Sequence, residues 1–179
     1  MPTLFLDRYD SPIGTILLVT DEDRRLRALD FEDHEDRMRR LLRRHYGTDQ
    51  TLSVPAPTAI RDALDAYFQG EYQDLSRIKW ETNGSSFQRQ VWRALLDIPA
   101  GSTMSYSALA AHIGRPAAVR AVGLANGANP VGIVVPCHRV IGSNGKLTGY
   151  GGGISRKAWL LEHEGATLRP GAARQATMP

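Results

Sequence analysis

The sequence predicts an α+β protein of two domains: an N-terminal antiparallel sheet with helices over residues 1–84, and a mostly helical C-terminal domain over 85–168 that contains a helix-turn-helix. Three observations predict it. Short β-prone runs separated by turn residues fill the first 31 positions. Apolar residues then recur at helical spacing. Near residue 84 the chain changes character, from a polar connector to a succession of capped helices.

Leu4 to Tyr9, Thr15 to Val19 and Leu26 to Phe31 are the expected strands, with Ser11-Pro12-Ile13-Gly14 and Asp21-Glu22-Asp23 as the turns between them. Met38, Leu41, Leu42, His45 and Tyr46 mark a helix. Its arginines, Arg37, Arg39, Arg40, Arg43 and Arg44, read as a solvated face. Thr51 to Pro57 is a connector. A second helix buries Ile60, Leu64, Tyr67 and Phe68 and stops at Gly70. A short strand is expected near Ile78-Lys79-Trp80 within the linker of residues 71–84.

Ser85 and Gln88 stand at capping-box spacing and open a helix whose buried face is Val91, Trp92, Leu95 and Leu96. A short helix from Ser107 to Ile113 follows. Gly114-Arg115-Pro116 breaks it, and Pro116 is placed to begin a second helix reaching Asn126. That second helix is trimmed to small side chains with one basic residue, Arg120. Two readings of it stand: tight packing inside the protein, or close approach to a DNA minor groove about 6 Å wide, a groove read with little sequence preference. The tail, residues 169–179, is Ala-, Gly- and Pro-rich and is expected to be flexible.

At 179 residues, 42% hydrophobic and 23% charged, the chain has the composition of a globular protein able to bury a core without disulfides or metals. A net charge of +3 and a pI near 9.2 permit an anionic partner without requiring one. No apolar run approaches the roughly 18 residues of a membrane span, and no secretory signal opens the chain. A single cysteine without such a signal suggests the reducing cytoplasm, and the protein is expected to be a monomer.

That cysteine, Cys137, lies in Ile133-Val134-Val135-Pro136-Cys137-His138-Arg139-Val140. Alone, it closes no intramolecular disulfide, and no CxxC or HxxxH pair supplies a zinc site, so neither metal nor cofactor is expected. It is either a buried inert thiol or an activated nucleophile. An adjacent imidazole suits the second role, because a thiolate is the nucleophile and histidine takes its proton near neutral pH. The glycine-rich stretch from Gly145 to Gly153 brings backbone close to a planar ligand, and it lacks the GxxxxGK[ST] order of a phosphate loop.

Val135-Pro136-Cys137-His138-Arg139-Val140-Ile141, preceded by Asn129-Pro130 and followed by Gly149-Tyr150-Gly151-Gly152-Gly153, resembles the O6-alkylguanine-DNA alkyltransferases, the small bacterial type above all. The likeness is dense from Phe87 to Gly165 and thinner before it, where Ser11-Pro12-Ile13-Gly14 and Tyr67-Phe68-Gln69-Gly70 are recognisable. The resemblance implies a ribonuclease-H-like N-terminal fold and a winged-helix-like helix-turn-helix. It also implies repair of double-stranded DNA by irreversible, stoichiometric transfer of the alkyl group from O6-alkylguanine, and from O4-alkylthymine, onto Cys137.

Carried over by position, the resemblance makes His138 the base acting through a water, and Glu164 the carboxylate that orients it. Tyr106 becomes the hydroxyl that protonates the leaving guanine, and Asn129 the hinge that braces the site. Arg120 becomes the finger filling the space of the flipped base. Tyr150 becomes a wall of the alkyl and base pocket. Ser105, Ala117, Ala118, Ala121, Gly123, Val140, Gly151 and Gly152 join the substrate- and DNA-contacting set. His112 and His163 are expected to be structural. A cysteine hydrolase and a DNA-binding module without chemistry are the rival functions.

Overall fold

The structure is a computed structural model that describes residues 1–168, so the tail of residues 169–179 lies outside the described residues. The chain divides into two compact units. One comprises Met1–Asn83 with Pro130–Val134, and the other Gly84–Asn129 with the described residues from Val135 onward.

In the first unit, strands β1 (Phe5–Ser11), β2 (Gly14–Thr20) and β3 (Leu26–Phe31) form an antiparallel meander. The β1–β2 hairpin closes where Ser11 pairs with Gly14, whose φ of 116° suits glycine, and Ser11 Oγ donates to the Gly14 carbonyl at 2.6 Å. Leu52–Ser53, inside the expected connector, forms a short strand β4 parallel to β1, giving the order β3-β2-β1-β4. Two residues without alternating apolar pattern leave no sequence signal for it.

Side chains alternate across a strand, and both faces of β2 are buried. One face packs Leu6, Leu17, Val19 and Ala28 against Met38 and Leu42 of helix α1 (Glu35–Tyr46). On the other, Tyr9 and Asp7 engage helix α2 (Thr58–Phe68): Tyr9 donates to Asp65 at 2.6 Å, and Arg61 pairs with Asp7 at 2.7 Å.

The arginines of α1 are largely committed to acids of the protein. Arg37 pairs with Asp30 at 2.8 Å, Arg39 with Glu35 at 2.7 Å, and Arg43 with Asp49. The strand expected at Ile78-Lys79-Trp80 reduces to a single bridge between Trp80 and Leu26, because Tyr72–Arg77 coils into 3₁₀ turns just before it. Pro130–Val134 joins this unit through Leu29, whose N–H donates to the Pro130 carbonyl at 3.0 Å and whose carbonyl accepts from Gly132 at 3.2 Å.

The second unit is built from helices α3 (Ser86–Leu95), α4 (Tyr106–His112), α5 (Val119–Gly127) and α6 (Ile154–His163). Two-residue strands β5 (Met104–Ser105) and β6 (Val140–Ile141) pair in parallel beside them. The capping box of α3 is formed in both directions, Ser85 accepting from the Gln88 N–H at 3.1 Å and Gln88 from the Ser85 N–H at 3.0 Å. Trp92 donates to the Ala125 carbonyl at 2.8 Å and locks α3 to α5. Pro116 does not start α5. The chain makes a turn there, and the helix begins at Val119, so Ala117 and Ala118 precede it. No helix among the described residues is long and apolar enough to cross a membrane.

Candidate active site

The backbone of Cys137 is set by the proline before it. Pro136 has φ −82° and ψ 62°, the inverse γ-turn conformation, and the Cys137 N–H closes that turn on the Val135 carbonyl at 2.8 Å. Proline fixes φ in this range at no cost. Cys137–Arg139 then coils into one 3₁₀ turn and leads into β6. Adjacent side chains diverge on such a turn, so His138 reaches the protein interior while Cys137 retains 7% exposure.

Two amides brace this turn. Asn129 Nδ2 donates to the Val135 carbonyl at 2.8 Å, which thus serves both this amide and the γ-turn. Asn126, which sequence reasoning did not single out, donates to the carbonyl of Cys137 itself at 3.3 Å. Both asparagines are buried.

Behind the cysteine lies a buried cluster of charge. Glu164 follows directly on the last residue of α6, where the helix dipole disfavours an anion, so something must compensate it. Arg139 does so with a two-pronged contact, Nε to Oε1 at 2.9 Å and Nη2 to Oε2 at 2.8 Å. Arginine supplies that geometry and lysine cannot. The third arm of the guanidinium donates to the Ile98 carbonyl at 2.6 Å. His138 Nε2 lies 3.0 Å from both carboxylate oxygens. Gly101 makes the enclosure possible: its φ is 87°, and a Cβ there would come within 2.9 Å of the Glu164 carbonyl oxygen.

The electrostatics set distinct protonation states. Burial alone would raise the pKa of Glu164, yet the Arg139 hydrogen bonds and the His138 contact outweigh it and hold the carboxyl far below its ordinary range. Burial lowers the pKa of His138, assisted by Arg139 and Lys157 and opposed by Glu164. The imidazole is therefore neutral near pH 7. With the carboxylate accepting from Nε2–H, the other ring nitrogen carries the lone pair. That atom, Nδ1, is buried and makes no hydrogen bond among the described residues, which leaves it available to accept a proton.

The remaining candidates divide by location. Tyr150, half-buried, meets the His138 ring edge-on at 6.4 Å. Tyr106 opens α4 behind the Ser105 cap, and its hydroxyl accepts from Thr148 Oγ1 at 3.0 Å, tying it to the loop that carries Tyr150. Val140 and Gly152 are buried and Gly151 is half-buried. Arg120 and Ala121 are exposed on α5, Ala117 is exposed before it, and Ala118 and Gly123 are half-buried. His112 pairs with Asp97 at 2.9 Å and His163 stacks on Trp159.

Sequence reasoning also passed over Arg139 and Lys157 as site residues. Each carried a signal. Arg139 is a charge within an apolar run, and Lys157 occupies the core face of α6, in step with Ile154, Ala158 and Leu161.

The site joins the single cysteine of the chain, next in sequence to a neutral imidazole, with the ionised carboxylate that holds that imidazole. Two family profiles match the chain: the 6-O-methylguanine DNA methyltransferase ribonuclease-like domain over residues 5–82, and the DNA binding domain of the same family over residues 86–166. A methylated-DNA–protein-cysteine methyltransferase of Salmonella typhimurium is 49% identical over 94% of this chain and 99% of its own. One of Mycobacterium tuberculosis is 53% identical over 70% of this chain and 77% of its own. The crystal structure of Mycobacterium tuberculosis OGT in complex with DNA superposes with a TM-score of 0.75 at 41% identity, covering 90% of this chain and 92% of that one. The chain belongs to the methylated-DNA–protein-cysteine methyltransferases, a family that repairs alkyl damage in DNA.

Proposed function

We propose that the protein transfers the alkyl group of O6-alkylguanine in duplex DNA irreversibly to the sulfur of Cys137, one group per molecule. The observation that carries this is the neutral His138, held by Glu164 through Nε2 with its Nδ1 uncommitted, directly after the only cysteine of the chain. His138 takes the thiol proton through a water. The thiolate attacks the alkyl carbon, the S–C bond forms, and the C–O6 bond breaks with its electron pair left on the guanine. Tyr106 protonates the departing ring, and the imidazolium restores the tyrosine proton through solvent. The thiol proton thus ends on guanine, and the product thioether has no leaving group through which to turn over. O4-alkylthymine presents the same alkyl–oxygen bond.

The substrate atom lies within the base stack, so the nucleotide must rotate out at a cost of a few kcal/mol. The exposed side of α5 supports minor-groove binding. Its outward residues are Arg120, Ala121 and Leu124, with Ala117 before it. A Cβ on Gly123 would meet Tyr106 only at 3.8 Å, an ordinary contact, so internal packing does not demand glycine there. In this reading Arg120, exposed on α5, enters the stack as the base leaves it. The DNA bound by the tuberculosis homologue supports the same partner here.

Intact-mass measurement after incubation with an O6-methylguanine duplex tests the reading. One methyl group appears on the wild type, localised to Cys137 and saturating at one per protein, and none on Cys137→Ala. Repeated turnover identifies a hydrolase instead. Arg120→Ala slows reaction with duplex more than with free O6-alkylguanine; equal losses remove the finger role.

A further inference from the structure

The inward face of α5 ends on a polar residue. Val122, Ala125 and Asn126 are the buried residues of this helix, while Arg120, Ala121 and Leu124 are exposed. Asn126 is 4% exposed, and the alkyl transfer described above assigns it no part. Its Nδ2 donates to the Cys137 carbonyl at 3.3 Å. That contact fixes which way the amide points, and its Oδ1 is left buried with no hydrogen bond among the described residues. A buried amide satisfied at one end only is worse for a fold than a hydrocarbon of the same shape. Nor does the Cys137 carbonyl depend on the amide, because it also accepts from the Val140 N–H. Packing and hydrogen-bond satisfaction therefore do not account for an asparagine here. What the amide adds is a tether from α5 to the backbone of the cysteine.

We infer that Asn126 is a positioning residue that aims the Cys137 sulfur, by holding the cysteine's own carbonyl in register with the helix that seats the duplex. The inference deepens the alkyl-transfer reading and rests on it for the role of α5. That helix is anchored one residue earlier, where Trp92 donates to the Ala125 carbonyl at 2.8 Å. One element thus carries Arg120 on its outward side and grips Cys137 from its inward side. Asn129 does a different job, because it holds the Val135 carbonyl at the entry to the turn. Displacement at the alkyl carbon requires the sulfur to lie opposite the breaking C–O6 bond, and a misplacement of about 1 Å costs up to about 10²-fold in rate. A small electrophile free in solution meets the sulfur from any open direction, so its reaction is indifferent to that aim.

Asn126→Leu approximates the shape of the side chain and removes the amide. With saturating O6-methylguanine duplex in a single turnover, methyl transfer to Cys137, followed by intact mass, should slow by about tenfold. Two other readings should stay within about twofold of wild type. One is alkylation of the same sulfur by iodoacetamide, in which the sulfur displaces iodide. The other is affinity for an undamaged duplex, measured by fluorescence anisotropy. Asn126→Ala, which adds no volume, carries the same three readings if leucine overpacks the site and the variant does not fold. Transfer at the wild-type rate in a folded variant overturns the inference and leaves the repair reading intact. An equal loss with iodoacetamide also overturns it, because the amide then acts on the reactivity of the thiol and not on its aim. An equal loss of duplex affinity overturns it by placing the effect on α5 itself. Wild-type protein that takes no methyl from the duplex overturns the repair reading and this inference with it.

Discussion

The two buried charges of the last helix are held in opposite ways. Glu164, at the end of α6, is saturated: a guanidinium grips both oxygens and an imidazole shares them. Lys157, two turns earlier, is hydrogen-bonded only to backbone carbonyls among the described residues. The difference teaches what each is for. A fully paired carboxylate is permanent equipment, fixing the histidine tautomer before and after reaction. A cation held only by carbonyl dipoles instead ties together the stretches of backbone that carry those carbonyls.

The largest effect that separates them comes from deleting the acid. Glu164→Ala leaves Arg139 buried without its partner, and breaking a buried pair in this way costs about 3–5 kcal/mol. Urea unfolding should show that loss, together with abolished methyl transfer. A loss below about 1 kcal/mol, the range of solvent-exposed pairs, would mean that the pair is not desolvated in solution.

The pH dependence of stability sharpens the same contrast with smaller effects of opposite origin. Glu164 has a depressed folded pKa, so its contribution is complete above the unfolded value of about 4.3 and disappears as pH falls towards the folded one. Glu164→Gln should flatten the acid limb of the unfolding profile. Lys157 also has a depressed folded pKa, about 8 against an ordinary value of 10.5, but for a cation this means that the native state gives up its proton first. Stability should therefore rise between pH 8 and 10.5 on its account, and Lys157→Met should remove that rise. Identical alkaline limbs would show that the lysine is solvated.

The smallest effect belongs to a site with no buried charge. Gly123→Ala fills ordinary space within α5 and gains helix propensity, so it should stabilise the fold by up to about 1 kcal/mol while weakening duplex binding in a fluorescence-anisotropy titration. Unchanged DNA affinity would place the groove elsewhere on the protein.

Legibility in the sequence followed the range of the interactions. The Ser85–Gln88 box, the Ser11–Gly14 hairpin and the apolar faces of α1 and α2 depend on residues a few positions apart, and they are found where spacing puts them, whereas on α3 Val91, Trp92 and Leu95 are buried but Leu96, expected with them, caps the helix and is exposed. The start of α5 is misjudged because Pro116 fits a first helical position and equally fits the turn that it occupies. β4 and the Trp80 bridge depend on partners in other strands, so local propensity says nothing decisive about them. Cys137 and His138 stand out by composition and Glu164 only through a family likeness, whereas the core-face spacing of Lys157 is easily passed over because a lysine in a helix ordinarily reads as surface.

By itself, then, the chain determined its helices and hairpins, and the presence of one thiol next to one imidazole, since these are matters of neighbouring residues. Only the tertiary structure decided which groups are charged there. Arg139 and Glu164 stand 25 residues apart, and Lys157 and Val140 stand 17 apart. Desolvation, which makes such contacts strong and shifts protonation, exists only once the chain has closed around them.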